Sequence, residues 1–169
     1  VLLGLVLSIL LVPSQAYLIS QYQIVQHLGW LNTILGLVAP GLFSAFGTFL
    51  MRTAFLNLPI ELEEAARLDG AGHFQIFWRV MLPLARPSIS VLAIATVLWS
   101  WNDLLWPLVV STDSSNMPLS AGLATIASDV TVNYPVLMAA SLMGMAPVLL
   151  TFIALQRRVI DGLASAGIK

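Results

Sequence analysis

Eight carboxylates and seven lysines or arginines are spread through 169 residues, and their spacing limits the chemistry open to the chain. There is no His-Glu-x-x-His pattern and no nucleophile elbow. Cysteine is absent, which excludes disulfides and thiolate metal sites. His27 has no second ligand at metal spacing. Gly162 and Gly167 have phosphate-loop spacing, but Ile168 follows and the Lys-Ser/Thr pair is missing, so any ATP is bound by another chain. Two features remain: a polar stretch from Leu58 to Pro87, and a single carboxylate, Asp103, inside an apolar run.

The polar stretch reads as a helical hairpin. Pro59 suits the first position of a helix, where its missing N–H is no loss. Glu61, Glu63 and Glu64 follow in the first turn, where the positive end of the helix dipole favours carboxylates by about 0.3 to 1 kcal/mol each. Glu63 and Arg67 stand four apart in the favourable order. Asp69-Gly70 ends the helix, with glycine free to take a left-handed conformation. A helix of about ten residues is marginal alone, so it is expected to dock on something. Ala65 and Ala66 form a low-relief patch rimmed by Glu64, Arg67 and Asp69, open to close approach by a partner backbone. A second helical stretch, Phe74 to Leu82, returns the chain to the membrane and is broken by Pro83 and Pro87. The plain alternative is a solvated loop between two membrane spans. A DNA-binding helix-turn-helix is disfavoured because the helix is net acidic, and no nucleic-acid partner is expected.

Composition supplies the setting. Apolar residues make up 59% of the chain and charged residues 9%, the balance of a membrane protein. An apolar run over residues 1–12 is shorter than the roughly 20 residues a span needs, and reads as a span cut short. Ser14 to Gly29 reads as an amphipathic interfacial helix with Leu18, Tyr22, Val25 and Leu28 on one face, closed by Trp30 at headgroup level. Full spans are expected at 31–51, with a break at Pro40-Gly41 and small residues Gly41, Ser44 and Ala45 for close packing, at 88–110, and at 135–155, with a kink at Pro147. Between the last two, the polar segment 111–134 includes a short helix over Leu119 to Val130, and residues 156–169 form a basic tail with no signal for further structure.

Asp103 costs about 2.5 to 3.5 kcal/mol inside a bilayer, so it is expected to face protein or water. Trp99, Trp101 and Trp106 flank it, and Asn102 adjoins it. Aromatic faces beside hydrogen-bonding groups suit a sugar, which makes Trp99, Asn102 and Asp103 candidates for the translocation path. Alternatively, the tryptophans form an interfacial belt and Asn102-Asp103 braces a kink ahead of Pro107.

All seven lysines and arginines fall at Arg52, Arg67, Arg79 and Arg86 around the polar stretch, or at Arg157, Arg158 and Lys169 in the tail. The positive-inside rule puts both groups in the cytoplasm. Asp69 and Asp103 then lie on opposite sides of the membrane and cannot act as an acid-base pair. The expected fold is an all-α, polytopic membrane bundle with a cytoplasmic helix-turn-helix.

Glu64-Ala65-Ala66, with Gly70, Val80 and Leu82-Pro83 at their observed spacing, resembles the Glu-Ala-Ala loop of permease subunits in bacterial ATP-binding-cassette importers. That family has isoleucine where Val80 stands. Leu28-Gly29-Trp30-Leu31-Asn32-Thr33, Ser100-Trp101-Asn102-Asp103 with Trp106-Pro107, and the Gly-containing tail are similar to the carbohydrate-uptake branch, especially the maltose-type second permease subunit. The resemblance implies a protomer of about six spans in the inner membrane. It implies a coupling helix seated on a cytoplasmic ATPase dimer that holds ATP and magnesium, a second permease subunit, and an extracytoplasmic solute-binding protein that touches the segment 111–133. By position, Glu64, Ala65, Ala66 and Gly70 carry over as docking elements, with Arg67 and Asp69 in support. The chain itself would catalyse nothing. Rival readings are a permease for glycerol-phosphate or a polyol, an ion-coupled carrier using Asp103, and a membrane anchor.

Overall fold

Proline and glycine cut the chain into short helices, and a few long-range contacts set their angles. The computed structural model describes residues 2–128 and 133–167, with side chains described except at Ser114 and residues 154–167. Among the described residues every regular element is helical. Helix α1 (Leu2–Ser8) tightens into a 3-10 turn and stops before Pro13. A second 3-10 turn leads into α2 (Leu18–His27), and the two halves are bent by 95°. Leu18, Tyr22 and Val25 share the inward face, as their spacing predicts, whereas Leu28 lies past the helix end and is exposed.

The end of α2 explains the glycine-tryptophan pair. Gly29 takes φ +69°, its N–H reaches Gln26 O at 3.0 Å, and Trp30 N–H reaches Val25 O at 3.0 Å. These are the two bonds of a Schellman cap. Trp30 accordingly folds back onto Val25 and is half-buried against the core.

Helices α3 (Ile34–Val38) and α4 (Ala45–Leu56) are joined through a 3-10 turn at Pro40 and bent by 48°. Ser44 caps α4 by accepting from Gly47 N–H at 3.1 Å. The close approach expected at Gly41 occurs at Gly47, where an added Cβ would lie 3.3 Å from Leu92 Cδ1, while Gly41 faces open space.

Helix α5 (Ile60–Leu68) is followed by α6 (His73–Ile76), a π-turn (Phe77–Met81), α7 (Leu82–Leu84) and α8 (Arg86–Asn102). Pro83 does not end the segment, contrary to the sequence expectation. Proline has no N–H for the carbonyl four residues back and its ring crowds that carbonyl. The ladder widens instead, with Leu82 N–H bonding Phe77 O five residues back. The break comes at Ala85, beyond which α8 leaves at 71°.

The expected 88–110 helix is broken too. It stops at Asn102, and α9 (Leu105–Val110) restarts after Asp103-Leu104. Pro107 again lacks the N–H that Asp103 O would take, and the Ser120 hydroxyl supplies the donor at 2.7 Å. The final elements are α10 (Leu119–Ser128) and α11 (Tyr134–Gly167). Helix α11 runs through Pro147 and takes in most of the tail, for which the sequence carried no structural signal.

Val25, Trp106 and Val110 form a small core, lined by Leu18, Tyr22, Trp30 and Leu31. Outside it, α8 packs on α4 and α11. Large apolar side chains elsewhere are exposed, among them Phe43, Leu142 and Leu150. Among the described residues one helix is long and apolar enough to cross a membrane, and up to four spans result if each bent pair is one.

Candidate functional site

Glu64, Ala65, Ala66, Arg67, Asp69 and Gly70 all lie on α5 or its C-terminal cap. Pro59 is the N-cap residue, one position earlier than its expected place. Gly70 takes φ +82°, with Gly70 N–H to Arg67 O and Ala71 N–H to Ala66 O both at 3.0 Å. This is a second Schellman cap, and it turns the chain sharply into α6. Glu63 and Arg67 form an ion pair along the helix. Glu64 belongs to no ion pair among the described residues, and it is exposed beside exposed Ala65 and half-buried Ala66.

Sequence reasoning missed the apolar rim of this surface. Leu68 is 90% exposed and Phe74 79%, on either side of the Gly70 turn. Helix α5 packs against α6 and the π-turn, which hold it out from the bundle. The arrangement is an acidic, low-relief helix with apolar side chains at its edge.

Around Asp103 the structure separates residues that the sequence groups. Trp106 Nε1 donates to Gly36 O at 3.1 Å inside the core, and Trp101 Nε1 donates to Gly144 O at 3.1 Å on α11. Trp99 meets Phe46 edge to face with centroids 5.0 Å apart. Asn102 Nδ2 donates back to Leu98 O at 2.7 Å. The tryptophans therefore bolt three other elements to this region rather than enclosing Asp103. Trp99 and Asp103 remain exposed, and the Asp103 carboxylate has no hydrogen-bond partner among the described residues.

Asn32 is the main residue that sequence reasoning left without a role. It is the only non-glycine residue with positive φ (58°) among those described, and asparagine tolerates that region better than most residues. Its Oδ1 accepts from Thr112 N–H at 2.7 Å and Asp113 N–H at 2.9 Å, and its backbone oxygen accepts from Asn116 Nδ2 at 2.8 Å. Its own N–H bonds Val110 O at 3.1 Å. Thr33 then caps α3, accepting from Gly36 N–H at 3.2 Å. One signal was available, since an asparagine between a Schellman turn and a threonine cap suits a left-handed position.

No group of His, Asp or Glu able to hold a metal occurs among the described residues. The described helices leave broad apolar surface exposed, and the acidic helix α5 carries no buried residue. The sequence matches the family of binding-protein-dependent transport system inner membrane components over residues 1–163, and the chain belongs to that family. It is 39% identical to the arabinooligosaccharides transport system permease protein of Halalkalibacterium halodurans, over 98% of this chain and 59% of that protein. It is 32% identical to the sn-glycerol-3-phosphate transport system permease protein of Yersinia enterocolitica, over 96% of this chain and 58% of that protein. A chain of a solved bacterial ABC transporter involved in import of the acidic polysaccharide alginate superposes with a TM-score of 0.74 at 28% identity, covering 82% of this chain and 55% of that one. The chain thus spans under two thirds of the length of these relatives.

Proposed function

We propose that this chain is the permease subunit of a binding-protein-dependent ATP-binding-cassette importer, forming half of the translocation path for a sugar. The observation that carries the reading is α5, an exposed acidic helix held out from an apolar bundle and ended by a left-handed glycine. In this reading α5 seats in a cleft of a cytoplasmic ATPase subunit that holds ATP and magnesium. Glu64 meets a basic residue there, Ala65 and Ala66 allow close seating, Gly70 sets the turn, and Arg67 and Asp69 support the contact. Closure of the ATPase dimer pulls α5 and switches the permease pair between inward-facing and outward-facing states. A binding protein outside delivers solute, touching the region of residues 111–133. The loop 58–87 and the C-terminus face the cytoplasm, because every arginine and lysine lies in that loop, just ahead of it at Arg52, or in the tail. Spans near 31–51, 88–110 and 135–155, with a partial one over 1–12, follow from the same topology.

Trp99, Asn102 and Asp103 are the candidates for solute contact. Residues 88–134 contain no lysine or arginine, so this segment offers no cation to a phosphate or carboxylate passing Asp103. That favours a neutral sugar over glycerol-phosphate. The test is uptake into proteoliposomes by the full-length complex with its binding protein, supplied with arabino-oligosaccharide or glycerol 3-phosphate. ATP-dependent sugar uptake is expected. Glycerol 3-phosphate uptake alone would move the reading to that solute, and uptake driven by an ion gradient without ATP would replace it with a secondary carrier.

A further inference from the structure

Four aromatic rings link the surface next to α5 to the membrane helix α4. Phe74 and Trp78 have centroids 6.2 Å apart, Trp78 and Phe77 5.7 Å, and Phe77 and Phe55 5.9 Å. All three separations lie in the range of favourable aromatic pairs. Exposure falls steadily inward, from 79% at Phe74 through 55% at Trp78 and 39% at Phe77 to half-buried Phe55. The outer rings sit on α6 and the π-turn, the segment on which α5 packs, and the inner ring belongs to α4.

We propose that this aromatic ladder carries displacement of the coupling region to α4, with Phe77 as its central positioning residue. The inference rests on the coupling reading of α5. Two routes leave the coupling region. The backbone route passes through the π-turn and the bend at Ala85 into α8, where a wide helical turn and a break offer compliance. The ladder is a direct side-chain route to a second helix. Phe77 stands where the two diverge: its carbonyl takes the π-type bond from Leu82, and its ring touches both Phe55 and Trp78. Phe74, at the exposed tip, is placed to meet whatever holds α5. The two routes converge on one unit, because α4 packs on α8 along its Gly47 face.

Spatial intermediacy alone does not establish coupling, so the test is a double-mutant cycle on function. The full complex is reconstituted with its binding protein, and solute imported per ATP hydrolysed is measured for Phe77→Ala, Phe77→Tyr, Phe55→Ala and the Phe55→Ala/Phe77→Ala double variant. Phe77→Ala is expected to keep the ATPase subunit bound and hydrolysing while import per ATP falls about fivefold or more, the size of a typical coupling between sites. Phe77→Tyr should restore the ratio, and the double variant should be no worse than Phe77→Ala. If Phe77→Ala fails to assemble, the exposed Phe74→Ala variant serves, with the same loss expected. An unchanged ratio, or losses that multiply in the double variant, overturns the ladder. Wild-type transport that ignores ATP would instead overturn the coupling reading beneath it.

Discussion

Replacing Asn32 with alanine removes the acceptor for two backbone N–H groups and places an ordinary side chain at φ 58°. The freed Thr112 and Asp113 amides lie at exposed residues and recover water, so each lost bond costs only the net value of about 0.5 to 1.5 kcal/mol. Asparagine tolerates the left-handed region better than alanine does, which adds up to about 1 kcal/mol. The sum is a loss of about 1 to 4 kcal/mol. Two further variants separate the terms. Asn32→Gly removes the bonds but relieves the backbone, and should recover about 1 kcal/mol relative to alanine. Asn32→Asp keeps an acceptor for both amides and loses only the Nδ2 bond to Thr112 Oγ1, so it should stay within about 1 kcal/mol of wild type. Thermal unfolding of the detergent-solubilised complex gives the ranking, and hydrogen exchange at Thr112 and Asp113 reports the clamp itself. Unchanged unfolding together with unchanged exchange at those amides in Asn32→Ala would refute the claim that Asn32 holds the segment after α9.

Gly36→Ala drives a Cβ into the Trp30 carbonyl and to within 3.2 Å of Val110 Cγ1, so it should destabilise by about 1 to 3 kcal/mol in the same unfolding assay. Gly70→Ala, at φ +82°, should cost about 1 kcal/mol and speed exchange at Ala71, whose N–H closes the cap. Asp103→Asn should leave unfolding within about 0.5 kcal/mol of wild type, because the carboxylate has no partner among the described residues, yet raise the KM for uptake if Asp103 meets solute. An unchanged KM would assign that position to bracing the break alone.

Local chemistry made α5 legible. Its bounds depend on Pro59, three glutamates and Asp69-Gly70, all within one short stretch, and the structure puts the helix at Ile60–Leu68. The inward face of α2 was legible for the same reason, since Leu18, Tyr22 and Val25 follow helical spacing. The break at Asp103 was visible only as a kink ahead of Pro107. The Asp103 carbonyl freed at the break is taken up by Ser120, seventeen residues away. Asn32 and the Thr112-Asp113 segment are about 80 positions apart, so no window of sequence connects them. The three tryptophans near Asp103 suggested a single cradle because they are close in sequence. Their partners, Gly36, Gly144 and Phe46, lie on different helices, which only packing reveals. The apolar rim at Leu68 and Phe74 was hidden by an opposite effect: exposed leucine and phenylalanine are unremarked in so apolar a chain until the surrounding surface proves acidic.

Cross-linking tests the central claim most directly. A cysteine replaces exposed Ala65 in the full-length chain, which has no cysteine among the 169 residues here to compete, and another is placed in the facing cleft of the ATPase subunit. Coupling through α5 predicts a cross-link whose yield changes when ATP is added. An assembled, folded complex that gives no cross-link with or without ATP would return α5 to a solvated loop and contradict the account.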